Sequence, residues 1–339
     1  MTPLVNRRIL LIGIGFYDYE RVIADEFKRL GAQVLVEYES APESRGLLAP
    51  IKRRLSPVSD AHLARHHAGI LERSQAIGTL DYVVVIKGTL LGEAFLRTLK
   101  AKHRHACFVS YQWDSMARFP ELVDRQRVFD RVLTFDQADA ATYPDFIFRP
   151  TFFRPELLTA EQLIPIDLCF VGWLHHDRLK QVEALREQAD SLGLSSFFYL
   201  FTGVRTGLEI LIQGRGKDVH VRTLPFARYA RYIASSKIIV DLPHPDQAGL
   251  TMRAAEAVGT GKKLMTTAKS VSVYDFYRPE NVSIIDAASP RLDPEFLSVA
   301  YTDVDKRLVE RYSLRVWALD VLGLTEPTGF LAKSAVGRV

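Results

Sequence analysis

Short, nearly continuous apolar runs recur through the first half of the chain, each followed by a polar or helix-spaced stretch. RRILLIG (7–13), AQVLVEYE (32–39), DYVVVIKG (81–88), HACFVSY (105–111) and DRVLTFD (130–136) are such runs. YERVIADEFKRLG (19–31) has helical spacing and closes on Gly31. Residues 43–77 read as a helical, surface-lying stretch. Strands apolar on both faces and separated by helices predict a parallel sheet covered on both sides. The rhythm breaks at FRPTFFRPELLTAEQLIPI (148–166), where Pro150, Pro155 and Pro165 suggest an interdomain linker. It then restarts with IDLCFVG (166–172) and a helix over HHDRLKQVEALREQADSLG, with Asp177 as its N-cap. SFFYLF, KDVHV, SKIIVDLP, KKLMTT and NVSIID are the later strands, and DVDKRLVERYSLRVWALDVLG (303–323) is a closing helix.

Both halves open alike, with strand, glycine, loop and helix. The pattern therefore predicts an α/β chain of two Rossmann-like domains with parallel sheets facing a central cleft. The expected bounds are 1–155 and 156–323, with the final helix able to pack back on the first domain and 324–339 a flexible tail. At 339 residues there is room for two cores.

Composition narrows the class. The chain is 47% hydrophobic and 25% charged, as expected of a soluble globular protein, and no apolar run approaches the ~18 residues of a membrane-spanning helix. Arg7-Arg8 before ILLIGIGF imitates a signal peptide, but the YDYE that follows lacks a small-residue cleavage site. Cys107 and Cys169 lie in strand-like runs and read as buried thiols of a cytoplasmic protein. A net charge of +4 suits an anionic substrate or a membrane surface, and no nucleic-acid-binding pattern accompanies it.

The loop LIGIGFYDYE (11–20) has two glycines of the dinucleotide fingerprint but Asp18 at the third position. An acid at a helix start repels a diphosphate. Glu37 and Glu39 stand where a ribose-binding acid belongs, which keeps a nicotinamide-dependent oxidoreductase as an alternative. A stronger anion signal lies at 236–267. There a strand ends at Asp241 and Gly249-Leu250-Thr251 opens a helix whose first amides suit a diphosphate. Arg253 adds a charge-assisted bond, and Glu256 lies within reach of ribose hydroxyls.

The wording SK-x-x-x-D-x-P, then Q-x-GLTMR-x-x-E, then KKL-x-TT resembles the donor-binding stretch of GT-B glycosyltransferases, in particular a bacterial group of capsular and lipopolysaccharide biosynthesis. FYDYE, the IKG of 86–88, YQWDS, DLCFVG and Tyr274-Asp275-Phe276-Tyr277 extend the resemblance. It implies metal-independent sugar transfer, without a cofactor, from a nucleotide-sugar to a growing cell-surface glycan or lipid-linked glycan. The setting it implies is the cytoplasm, at the inner membrane face. The basic run Lys52-Arg53-Arg54 reads as a solvated helix end or as a contact with anionic lipid. A nucleotide-sugar epimerase of the same fold is the nearer alternative. Ala248 stands where many retaining members have a second glutamate eight residues before Glu256.

The expected donor site comprises Gly172, His175, Arg178, Gly249, Leu250, Thr251, Arg253 and Glu256. The expected acceptor site comprises Gly15, Phe16, Tyr17, Asp18, Lys87, Trp113 and Asp114, with Asp114 as the candidate base. Asp136 reads as the N-cap of QADAATY, and Tyr229 and Tyr232 as a packing stripe. No metal-ligand spacing surrounds His175 and His176.

Overall fold

The computed structural model describes residues 2–15, 17–41, 60–175, 177–245, 247–327 and 329–331. The chain divides into two compact units, 1–149 with 317–327, and 150–316 with 328–339.

The first unit runs β1 (Arg8–Gly13), α1 (Tyr19–Arg29), β2 (Gln33–Tyr38), α2 (Asp60–Ala76), β3 (Tyr82–Ile86), α3 (Glu93–Lys102), β4 (Cys107–Gln112), β5 (Arg131–Thr134), α4 (Gln137–Thr142) and β6 (Phe146–Phe148). Its sheet has the order β2-β1-β3-β4-β5-β6, every pair parallel. Leu10, Ile12, Val83, Val85 and Phe108 are buried with Leu96 and Leu99 of α3, so the apolar runs of the sequence are two-faced strands. Because β2 and β3 flank β1 on opposite sides, the direction of winding reverses between β1 and β3.

The second unit runs β7 (Ile166–Trp173), α5 (Arg178–Ser191), β8 (Ser196–Phe201), α6 (Val204–Ile212), β9 (Val219–His220), α7 (Phe226–Ser235), β10 (Ser236–Asp241), α8 (Met252–Thr260), β11 (Lys263–Thr266) and β12 (Val282–Ile284). The short helices α9 (Pro294–Ser298) and α10 (Lys306–Arg311) follow, and α11 (Leu314–Val321) leads back to the first unit. This sheet is again parallel, in the order β12-β11-β10-β7-β8-β9, and reverses between β7 and β10. Phe170, Leu200, Val240 and Met265 pack on Val182, Leu185 and Ala189 of α5.

Three expectations need correction, and a fourth gains detail. The proline-rich stretch 148–166 holds the boundary between the two units, at Arg149–Pro150, and is itself packed: Arg149, Phe152, Phe153, Arg154 and Leu157 are buried, and Phe153 lies where a side chain at Gly259 would sit. The closing helix is broken at Tyr312-Ser313, because Phe153 donates its amide to Tyr312 and accepts from the Leu314 amide. Part of the expected tail is ordered, since Phe330 is buried against Tyr312 and Leu331 bridges Tyr274. Cys107 is half-buried, whereas Cys169 is buried as expected.

Residues 317–327 belong to the first unit. Trp317 stands edge-on to Tyr111 at 4.9 Å, and Asp320 pairs with the buried Arg149 guanidinium at 2.6 Å. Among the described residues, no helix is long and apolar enough to cross a membrane.

Candidate functional site

In an open parallel sheet, ligands bind beyond the carboxyl ends of the strands where the winding reverses. Each unit has one such place. In the second unit it lies between the loop after β7 and the loop after β10, and in the first between those after β1 and β3.

The second unit's edge is rich in guanidinium. Arg178, at the start of α5, is buried and donates to the carbonyls of Trp173, at 2.6 Å, and Leu242, the residues closing β7 and following β10. Arg253, in the first turn of α8, lies 3.6 Å from the fully buried carboxylate of Asp241. The two guanidiniums share the Phe170 ring, at 5.6 and 5.1 Å from its centroid. Gly172 makes room for this: a side chain there would meet Phe170 at 2.8 Å and the Arg253 guanidinium at 3.1 Å.

Burial, then the nearby Arg253 charge, pulls Arg178 down to about 9, with Asp241 opposing. Asp241 bears on both guanidiniums and the buried Glu256 bears on Arg253, so the features of this edge that suit an anion are the guanidinium pair and the helix start beside it.

Asp241 also anchors the helix start. It accepts from the Thr251 hydroxyl at 2.9 Å and the Thr266 hydroxyl at 3.3 Å. Thr251 is the N-cap of α8, its oxygen accepting from the Arg253 amide at 3.2 Å. The positive end of the α8 dipole thus lies beside Arg253. Leu250 is buried, so its side chain is a packing anchor and only its backbone is offered to a ligand. Gly249 accepts from Gln247 at 3.1 Å.

His175, after β7, stands 5.3 Å ring to ring from His244, after β10. His244 and Asp241 went unassigned in the sequence, although the strand-end position of Asp241 was a usable signal.

Glu256 corrects its expected role. It is only 2% exposed, in a stretch of α8 that is buried all round from Ala254 to Val258, and the Tyr229 hydroxyl donates to it. Burial raises both groups, so a carboxylate presented to ribose hydroxyls is not what this position provides. Tyr232 packs as expected, stacked on Phe197 at 3.5 Å.

The first unit's edge is built from carboxylates. Glu20, buried on α1, occupies the space a side chain at Gly13 would need and accepts from the Gly15 amide at 2.9 Å. The glycine loop therefore already holds an anion of its own. Glu37 pairs with Arg73 at 2.5 and 2.9 Å, and Glu39 accepts from the Thr89 hydroxyl at 2.9 Å and the Leu90 amide at 3.1 Å. With the amide and both acids engaged, this edge is not arranged for a dinucleotide.

Two non-glycine residues adopt left-handed backbone here, Tyr17 (φ 54°) and Lys87 (φ 67°), one on each loop of the reversal point. Such strain persists where the surroundings over-determine it, and it concentrates at binding sites. Lys87 reaches Asp114 at 2.5 Å and lies 4.1 Å over the Phe119 ring, and Arg118 pairs with the other Asp114 oxygen at 2.8 Å. Trp113 stands edge-on to Tyr19 at 5.2 Å.

The structure thus brings Lys87, Trp113 and Asp114 together with Tyr19, which the sequence reading missed. Tyr17 is half exposed, Gly15 is left-handed (φ 75°), and Asp18 pairs with Arg21 at 3.0 Å instead of capping α1 with its side chain. Phe16, His176 and Lys52-Arg53-Arg54 lie outside the described residues.

The paired parallel sheets and their reversal points define the class as the GT-B fold. Among solved structures, sucrose-phosphate synthase from Thermosynechococcus elongatus is similar over 94% of this chain and 98% of its own, with a TM-score of 0.57 at 14% identity. The UDP-GlcNAc 2-epimerase of Methanocaldococcus jannaschii has a TM-score of 0.53 at 9% identity, covering 94% of this chain and 99% of that one. That of Neisseria meningitidis, bound to UDP-GlcNAc, has 0.51 at 11% with the same coverage. At these identities the likeness is one of fold. No family model and no curated protein sequence matches the chain.

Proposed function

We propose that this chain is a glycosyltransferase, drawing its sugar from a nucleotide-diphospho-sugar bound at the carboxyl edge of the second sheet. The observation that carries the proposal is the pair Arg178 and Arg253 around Phe170, beside the α8 N-terminus at the reversal point. When the bond between the anomeric carbon and the phosphate oxygen breaks, negative charge grows on the departing diphosphate. Guanidiniums and helix amides already in place stabilise that charge without reorganising.

The acceptor is assigned to the first unit, where Trp113 and Tyr19 offer ring surface and Asp114 accepts from a sugar hydroxyl. The new bond joins that hydroxyl oxygen to the anomeric carbon, and its proton leaves to a base, for which Asp114 is the candidate. The sequence resemblance supports a cell-surface glycan, of capsule or lipopolysaccharide type, as the acceptor.

Epimerisation of a nucleotide-sugar is the second reading, favoured by the likeness to two UDP-GlcNAc 2-epimerases. Thermal-shift screening with UDP, GDP, CDP, CMP and TDP tests the donor site, because a ligand selective for the folded state raises its stability. Incubation of the matching nucleotide-sugars with and without glycan acceptor then separates the readings. Release of nucleoside diphosphate that depends on acceptor supports transfer, and an altered sugar formed without acceptor supports epimerisation. Stabilisation by none of the nucleotides contradicts both.

A further inference from the structure

The loop after β4 carries Trp113 and Asp114, and two buried acids from the next strand-to-helix connection hold it. Asp136, the N-cap of α4 just after β5, is 1% exposed; it accepts from the Ser115 hydroxyl and, at 2.9 Å, from the Ala138 amide. Asp139, on the first turn of α4 and 5% exposed, receives the Met116 amide on both oxygens, at 3.1 and 3.0 Å. It also accepts from the Thr134 hydroxyl at 3.1 Å. Capping a helix of six residues requires one acid, and Asp136 already does so. Asp139 is turned the other way, onto the backbone of a neighbouring loop.

We propose that Asp139 is a positioning residue whose ionised carboxylate fixes the 113–116 loop, setting the place of Trp113 and Asp114 at the acceptor edge. A carboxylate offers two acceptor oxygens to the Met116 amide and the Thr134 hydroxyl, whereas the neutral acid must turn one oxygen into a donor. Protonation therefore loosens the loop.

Of the groups around Asp139, Asp136 is the one that bears on it as a charge. Thr134 on β5 and Met116 after β4 face it as neutral donors, and the cations of the 113–116 loop region, Lys87 and Arg118, pair with Asp114. Burial first, then the Asp136 charge, pushes Asp139 up to about 6, against the hydrogen bonds from Met116 and Thr134. The switch accordingly falls in a mildly acidic range. The functional meaning rests on the acceptor reading of this edge, but the loop's response to pH does not.

The test uses the full chain labelled with 5-fluorotryptophan, whose three tryptophans give separate fluorine resonances, Trp113 being identified by W113F. In the wild type the Trp113 resonance moves between pH 7.5 and 5 with a midpoint near 6, while that of Trp317, buried in the same unit, does not follow it. In D139N it lies at pH 7.5 where the wild type lies at pH 5, and it stays there. D136N removes the neighbouring negative charge and lowers the midpoint, a change that a merely structural role would not produce. If D139N does not fold, the D136N midpoint decides. A wild-type resonance that stays still, a D139N resonance that tracks the wild type, or an unmoved D136N midpoint overturns the proposal. None of these outcomes depends on nucleotide binding, so failure here and failure of the transferase reading are distinguishable.

Discussion

At the first sheet's edge, buried acids hold the loops: Glu20 on the glycine turn, Glu39 on the loop after β3, and Asp136 with Asp139 on the loop after β4. At the second sheet's edge the corresponding holders are guanidiniums, Arg178 fastening the ends of β7 and β10 and Arg253 set against Asp241. The topology of the two places is the same, a reversal of winding in a six-stranded parallel sheet. The comparison separates two contributions. The fold decides where a ligand can bind, and the sign of the buried charges decides which ligand it is. On the reading proposed above, the second edge is the one suited to a diphosphate and the first the one suited to a neutral, hydroxyl-rich acceptor.

The sharpest way to break the contrast is at Asp241, a carboxylate within the basic edge. Asp241→Asn removes a fully buried negative charge that acts on both Arg178 and Arg253, and it should lower stability by about 3 kcal/mol in urea unfolding. A loss under about 1 kcal/mol would mean that Asp241 is not the anchor of this edge. Arg253→Ala should keep the fold and cost about 2 kcal/mol of nucleoside diphosphate binding, a loss of roughly 30-fold.

The acid edge has a pH signature of its own. Asp139 lies at about 6 against an ordinary 3.8, so the folded state holds its proton more readily than the unfolded chain. The hydrogen bonds to the ionised form hold the loop, but the cost of keeping a buried carboxylate ionised outweighs them, so net stability is greatest at low pH and is lost as pH rises through about 6. Relative to Asp139→Asn, the wild type should lose roughly 2 kcal/mol between pH 4 and pH 7, read from urea midpoints at each pH. A constant difference would contradict the assignment. The smallest effect is expected from Tyr17→Gly, which relieves a left-handed backbone and should raise stability by about 0.5–1 kcal/mol. A fall in stability would show that the Tyr17 side chain holds its loop more than the strain costs.

What could be read from sequence follows the range of the interactions. Strands, helices and the Gly249–Thr251 helix start rest on neighbouring residues, and they stand where apolar rhythm and capping chemistry place them. The clamps were invisible because each joins residues far apart in the chain. Glu39 to Thr89, Met116 to Asp139, and Arg178 to Leu242 exist only once the strands are ordered in the sheet. Glu256 shows the converse error. Its position on α8 was legible, but its burial under Tyr229 depends on α7 packing beside it. In 148–166 both signals were legible at once: the prolines mark the boundary between the units, and Phe152 and Phe153 mark the burial within it.

The central claim, that the basic edge alone holds the diphosphate, is tested most directly by calorimetric titration of nucleoside diphosphates into the wild type, Arg253→Ala and Lys87→Ala. The account predicts that one diphosphate binds the wild type, that Arg253→Ala weakens it by 10-fold or more, and that Lys87→Ala leaves it within about 2-fold. Equal binding by wild type and Arg253→Ala, or a larger loss in Lys87→Ala, would contradict it.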